Sequence, residues 1–191
     1  MCPASHLPTN PICLEGSTSE TGYILDVPGH TTTNMKLHLI AVGRTTDARL
    51  QSLIDDYVSR LGHYIPFQLE IIPELRQTKS LSPQQQKERE GELILQRVTD
   101  GDWLVLFDEG GREFTSVGFS QYLEKRQATG ARRLVFVIGG PYGFSPAVYA
   151  AAREKVSLSQ MTFSHQMVRL FCVEQLYRAM TILKGEPYHH V

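Results

Sequence analysis

From residue 35 onward the chain predicts an α/β domain, a mostly parallel sheet covered by helices on both faces. Apolar runs of strand length recur at 37–42, 67–72, 103–107 and 133–138. Segments with helical spacing of apolar residues lie between them, so each strand reaches the next through a crossover and a parallel sheet results. No apolar run approaches the roughly 20 residues of a membrane-spanning helix. The most apolar stretch, Leu134 to Gly140, is strand-sized.

Each element has its own signal. Leu37 to Val42 is a strand ending at Gly43. Asp47 to Leu61 places Leu50, Leu53, Ile54, Tyr57, Val58 and Leu61 on one helix face, with Asp47 as N-cap and Gly62 as the stop. Phe67 to Ile72 is a second strand, closed by Pro73, and Arg76 to Ser82 reads as a polar, mobile loop. Ser82 then caps a charged helix, Pro83 to Val98, with Leu93, Ile94 and Val98 inward. Trp103 to Phe107 is the third strand, Ser116 to Gln127 a helix, and Arg133 to Ile138 the fourth strand. Ser145 caps a short helix from Pro146 to Lys155, and a brief strand follows around Val156 to Ser159. Gln166 to Leu183 is the closing helix. It is apolar on most sides and must be buried in the core or against another subunit.

Residues 1–34 are a different kind of sequence. Pro3, Pro8, Pro11 and Pro28 stand among many Ser and Thr, without apolar periodicity. There is no basic segment leading into an apolar one, so no secretory signal, and none of the arginines of a transit peptide. The expectation is a disordered extension or a start of translation misassigned upstream of Met35, with the domain occupying residues 35–191.

Net charge is −1, too little for a strongly basic nucleic-acid binder. Setting aside Glu15, Glu20 and Asp26 leaves 19 basic against 17 acidic residues, so any RNA site is a local patch or shared between subunits. Cys2, Cys13 and Cys172 form no C-x-x-C pair, which fits a reducing, cytoplasmic compartment and indicates neither zinc nor redox chemistry. No metal-binding motif occurs.

In open α/β sheets ligands sit beyond the carboxyl ends of the strands. Three such ends carry unusual residues: Leu106 to Gly111, Ile138 to Gly143, and Leu158 to Phe163. Gly139-Gly140 lets a ligand approach bare backbone, or else serves only a tight turn. Neither G-x-G-x-x-G nor a P-loop is present, which removes the common dinucleotide and nucleotide-hydrolase sites. Backbone groups of Leu158 to Phe163 can line an adenine slot while Met161 and Phe163 pack on the ring; an ordinary buried loop is the alternative. Arg169 is either paired within its helix or reaches a phosphate or a carboxylate. Arg178 has Glu174 as its partner at helical spacing. Tyr188 and His189 lie within the last four residues, where termini usually fray, which points to docking, and His189 is a candidate base or RNA ligand.

Six motifs in order then resemble one family. They are Met35-Lys-Leu-x-x-Ile-Ala-Val-Gly43, Ile138-Gly-Gly-x-x-Gly143, Leu158-Ser-x-Met-Thr-Phe163, His165-Gln-Met-x-Arg169, Glu174-Gln-x-Tyr-Arg-Ala179 and Pro187-Tyr-His189. Together they resemble the RlmH family of SPOUT-superfamily methyltransferases, over 35–191 and not before. The resemblance implies a C-terminal trefoil knot, S-adenosylmethionine as cofactor, and a homodimer whose sites are completed by the partner's tail. It implies N3-methylpseudouridine in helix 69 of 23S rRNA as product, made on the assembled ribosome. Cofactor contacts then fall on Leu106, Gly139, Leu158, Ser159, Gln160, Met161, Thr162 and Phe163, and catalytic roles on His189, Tyr188 and Arg169. Two departures stand out: Ser164 where many members have Pro, and His190 beside His189. A ribosome-binding factor without activity and a small nucleotide-binding oxidoreductase are the competing classes, and binding of S-adenosylmethionine separates them.

Overall fold

The computed structural model describes residues 35–75 and 80–189. Its five strands form one fully parallel sheet in the order β2-β1-β4-β3-β5. In chain order the elements are β1 (Lys36–Val42), α1 (Ala48–Gly62), β2 (Phe67–Ile72), α2 (Pro83–Leu95) and β3 (Trp103–Glu113). They continue with α3 (Ser116–Gln127), β4 (Arg133–Ile138), α4 (Pro146–Ala151), β5 (Glu154–Ser157) and α5 (Met167–Leu183). The expectations for residues 1–34 and for His190 lie outside the described residues, as do residues 76–79 of the expected loop.

The strand period of two divides the apolar side chains between two cores. Leu37, Leu39, Val105, Phe107, Leu134 and Phe136 face α1, α3 and α5, meeting Ile54, Leu61, Leu123, Cys172, Val173 and Leu176. Ile40, Val42, Leu104, Leu106, Val135 and Val137 face α2 and α4, meeting Ile94 and Val148. Both faces are covered, as expected.

Local signals explain the helix starts. Asp47 Oδ1 accepts from the Arg49 and Leu50 amides at 2.9 and 3.2 Å. Ser82 and Gln85 cap each other reciprocally at the head of α2, with Pro83 in the first turn. Ser145 Oγ accepts from the Val148 amide at 3.4 Å.

Three boundaries differ from the expectation. The helix α2 stops at Leu95, leaving Val98 in the following turn. The short helix α4 stops at Ala151, because the Arg153 amide is taken by the Leu104 carbonyl of β3 at 2.9 Å, and Glu154 and Lys155 join the strand. The strand β3 runs on to Glu113 rather than ending at Phe107. Both Phe107 and Arg112 pair with Val156, so Asp108 to Gly111 bulge out of the ladder between them. A Cβ on Gly111 would lie 2.6–2.8 Å from the backbone of Lys155 and Val156, which is why glycine stands there.

Candidate active site

The carboxyl ends of β3, β4 and β5 open onto one cleft of about 550 Å³, inside the ~300–1,000 Å³ range of small-molecule sites. Of the expected cofactor residues, Gly139, Leu158, Ser159, Met161, Thr162 and Phe163 line it; Leu106 and Gln160 do not. Leu106 points into the α2–α4 core, so only its backbone is on offer. The loop after β5 is held by its own serines: Ser157 Oγ donates to the Ser159 carbonyl at 3.0 Å, and Ser159 Oγ accepts from the Met161 amide at 3.0 Å.

The glycines have a reason beyond ligand approach. A Cβ on Gly139 would meet the Phe144 ring at 3.0–3.3 Å, and one on Gly140 would meet Glu90 Oε2 at 2.1 Å. The turn is therefore packed from behind. Glu90 is 3% exposed; its Oε1 accepts from Gln86 Nε2 at 2.8 Å, while Oε2 has no hydrogen-bond partner among the described residues. Burial pushes its carboxyl pKa above the ordinary carboxylate range, and Glu74 adds to the effect.

Arg169 is 0% exposed and does not line the cleft. Its guanidinium donates to the Val42 carbonyl and to Thr45 Oγ1, both at 2.9 Å, while Nε has no partner among the described residues. Burial pulls its pKa below the ordinary arginine value, and Glu74 attracts it without a contact ion pair. His165, which does line the cleft, donates from Nε2 to the same Val42 carbonyl at 3.0 Å. Arg169 and His165 thus clamp the end of β1 to the chain entering α5.

Sequence reasoning did not single out Asp108 and Tyr149. Tyr149 Oη donates to Asp108 Oδ2 at 2.6 Å, and Asp108 Oδ1 accepts from the Gly110 amide at 2.9 Å. Burial and the Asp108 carboxylate push the Tyr149 pKa up to about 12, so its proton stays on at neutral pH. Asp108 was findable as the residue after the third strand. Nothing local marked Tyr149, which arrives from α4.

The tail is docked on its own chain, away from the cleft lining. Tyr188 Oη lies 3.1 Å from Tyr57 Oη and donates to Glu174 Oε1 at 3.1 Å. Its ring stands edge-on to Tyr177 at 4.8 Å, under the Arg178 guanidinium at 4.7 Å. Arg178 pairs with Glu174 as its spacing implied, Nε to Oε1 at 3.0 Å. Burial, then Tyr57 and Glu174, push the Tyr188 pKa up, which suits a hydroxyl donor rather than a base. His189 is half-buried beside it. Neither Tyr188 nor His189 lines the cleft of its own chain.

The cleft is thus lined by backbone turns at the carboxyl edge of a parallel sheet. Residues 35–189 match the family described as "Predicted SPOUT methyltransferase", and the chain belongs to that family. It is 61% identical to the ribosomal RNA large subunit methyltransferase H of Parabacteroides distasonis, over 82% of this chain and 99% of that one. The protein of the same name from Flavobacterium johnsoniae is 60% identical over the same shares. Among solved structures, a probable methylase family protein from Haemophilus influenzae aligns at TM-score 0.44 with 12% identity, over 82% of this chain and 69% of that one.

SPOUT methyltransferases use S-adenosylmethionine, and the cleft fits it. Asp108 and Glu109 line it, with Lys155 Nζ 4.0 Å from Asp108 Oδ1 and no Lys or Arg in the lining itself, which suits a ligand carrying a sulfonium and an ammonium. Gly139 and Gly140 present bare backbone, and Leu158 and Phe163 offer apolar surface for an adenine. Among the described residues no group of three or more His, Cys, Asp or Glu stands ready for a metal, and no helix is long and apolar enough to cross a membrane.

Proposed function

We propose that this protein methylates N3 of a pseudouridine in helix 69 of 23S rRNA, on the assembled ribosome in the cytoplasm, as a homodimer using S-adenosylmethionine. Residues 35–191 form the catalytic domain and residues 1–34 lie outside it. The observation that carries the reading is identity near 60% over 99% of the length of relatives named ribosomal RNA large subunit methyltransferase H. The acidic, backbone-lined cleft supports it.

The cofactor supplies an activated methyl group, so the protein's task is alignment and proton removal. Gly139 and Leu158 to Phe163 hold the donor, with the Leu106 backbone and Gln160 at the margin. Asp108, fixed by Tyr149 and the Gly110 amide, offers fixed negative charge to the sulfonium end. The imide N3 keeps its proton at neutral pH and needs an acceptor in reach. His189 from a second copy fills that role, Tyr188 donates a hydrogen bond beside it, and Arg169 acts as a positioning residue behind the β1 end. The location of Tyr188 and His189 outside their own chain's cleft supports supply from a second copy.

Incubation with ribosomes and labelled S-adenosylmethionine, followed by mass spectrometry of the helix 69 nucleosides, is the test. Methyl transfer to N3 of pseudouridine is expected. Binding of S-adenosylmethionine without methylation of ribosomes would overturn the substrate, and absence of binding would overturn the enzyme reading.

A further inference from the structure

We propose that Tyr142 is the platform on which the target base stacks when it enters the cleft. The inference rests on the RNA-methylating reading and adds the residue that receives the base.

Gly140, Pro141, Tyr142 and Gly143 form a tight turn between β4 and α4. The Gly143 amide donates to the Gly140 carbonyl at 3.1 Å, and the same two residues make an antiparallel bridge. Pro141 fixes its own φ, and Gly143 adopts φ +79°, where a side chain is disfavoured. The turn is anchored from behind by the close packing of Gly140 on Glu90. Tyr142 is thus held out on a stiff support. It lines the cleft yet is 51% exposed. Among the described residues its hydroxyl has no hydrogen-bond partner and its ring meets no other aromatic or cation. Tyr149 of the same cleft differs in each respect: its hydroxyl is bonded to Asp108 and its ring stands against Phe144 at 5.7 Å. One tyrosine is structural; the other is unused by the fold.

The charge around it suits an uncharged ring. Asp108 and Glu109 line the cleft and Lys155 Nζ stands 4.0 Å from Asp108 Oδ1, so no unpaired cation is set there to hold a phosphate. A base whose N3 must be reached has to leave its neighbours in the RNA stack, and an exposed aromatic face restores the stacking it gives up. Stacking tolerates any base, so Tyr142 sets affinity for the extruded base rather than its identity.

Kinetics on ribosomes with Tyr142→Ala and Tyr142→Phe test this, together with calorimetry for S-adenosylmethionine. For Tyr142→Ala we expect KM for ribosomes to rise about tenfold or more, with cofactor affinity within twofold of wild type. Tyr142→Phe keeps the ring and should stay within twofold in both. Unchanged KM in Tyr142→Ala would overturn the proposal while leaving the methyltransferase reading intact. So would a parallel loss of cofactor affinity, which would make Tyr142 a cofactor residue, or sedimentation showing Tyr142→Ala monomeric where the wild type is a dimer, which would make it an interface residue. A wild-type protein that fails to methylate ribosomes would overturn the substrate reading and this inference with it.

Discussion

Gly140 has no room for a side chain because Glu90 is already there, and Glu90 is the most unusual residue next to the cleft. A carboxyl that is 3% exposed with one oxygen unpartnered is costly to ionise. Its folded pKa is raised above its ordinary value of 4.5, so the folded chain keeps the proton after the unfolded chain has released it. The associated stability is complete below the unfolded pKa and is lost as pH rises through the folded one. Glu90→Gln keeps the shape and the Gln86 contact without the ionisation. It should unfold with a flatter pH dependence than wild type in denaturant titrations run upward from the ordinary carboxylate pKa of 4.5; parallel curves would show that Glu90 titrates normally. His38 works in the opposite sense. Burial is the largest influence on it and lowers its pKa, outweighing the attraction of Glu70 3.1 Å away. Its contribution to stability is therefore present above the ordinary histidine pKa of 6.5 and lost as pH falls through the lower folded value. His38→Asn should reduce that acid-side loss, and an unchanged acid limb would assign the loss to other groups. The Gly139 position shows why single residues mislead at the level of sequence. Its glycine read equally as room for a ligand or as a tight turn, and the structure shows Gly139 both lining the cleft and packed against Phe144 where a side chain would go, so Gly139→Val is expected to cost both cofactor affinity and ~1–3 kcal/mol of stability.

Among the elements, β3 and its bulge carry the least obvious lesson. Ala at 111 would push its Cβ to 2.6 Å from the Val156 carbonyl carbon, and backbone atoms in a paired strand cannot step aside. Gly111→Ala should therefore lose ~1–3 kcal/mol in a denaturant melt and weaken cofactor binding, because β5 leads directly into Leu158 to Phe163. Gly110→Ala, whose Cβ would meet Asp108 Oδ1 at 3.2 Å and Lys155 Nζ at 3.7 Å, should be milder; equal losses would mean that the bulge is not what glycine serves. Elements with a continuous period were legible in the sequence: β2, α3 and β4 span the residues their patterns marked. The bulge was not, since Asp-Glu-Gly-Gly has the composition of a loop and is a strand only because Arg112 and Glu113 regain pairing with β5. The end of α4 was obscured in the same way, by a hydrogen bond to Leu104, 49 residues earlier in the chain. For the site, the three strand ends could be read because backbone chemistry concentrates there. Glu90, Tyr149 and the docked position of Tyr188 could not, because each depends on a partner from a distant element.

At the scale of the whole molecule, the tail is bound to its own α1 and α5 and does not line its own cleft, so the proposed catalytic role of His189 calls for a second copy. The contacts of Tyr188 with Tyr57, Glu174, Tyr177 and Arg178 mean that deleting residues 188–191 is not free. It should cost ~1–2 kcal/mol, more than a frayed terminus would. Cofactor affinity should survive, since the cleft lining contains none of these residues. Methylation should fall by orders of magnitude if a second copy supplies His189. A mixed dimer decides whether the supply is in trans. One subunit lacks residues 188–191 and keeps a working cleft; the other carries Gly139→Val and keeps its tail. Acting across the interface, the intact tail completes the tail-less subunit's cleft, and about half of the wild-type rate should return. Acting within one chain, neither subunit has both parts and the mixture stays inactive. Sedimentation checks that the mixed species is a dimer, the commonest closed assembly of identical subunits. A chain beginning at Met35 supplies the control for the rest of the molecule. The family match starts there, so it should bind S-adenosylmethionine, dimerise and methylate ribosomes like the full chain. A truncated protein that binds cofactor but not ribosomes would move residues 1–34 from outside the catalytic unit into substrate recognition.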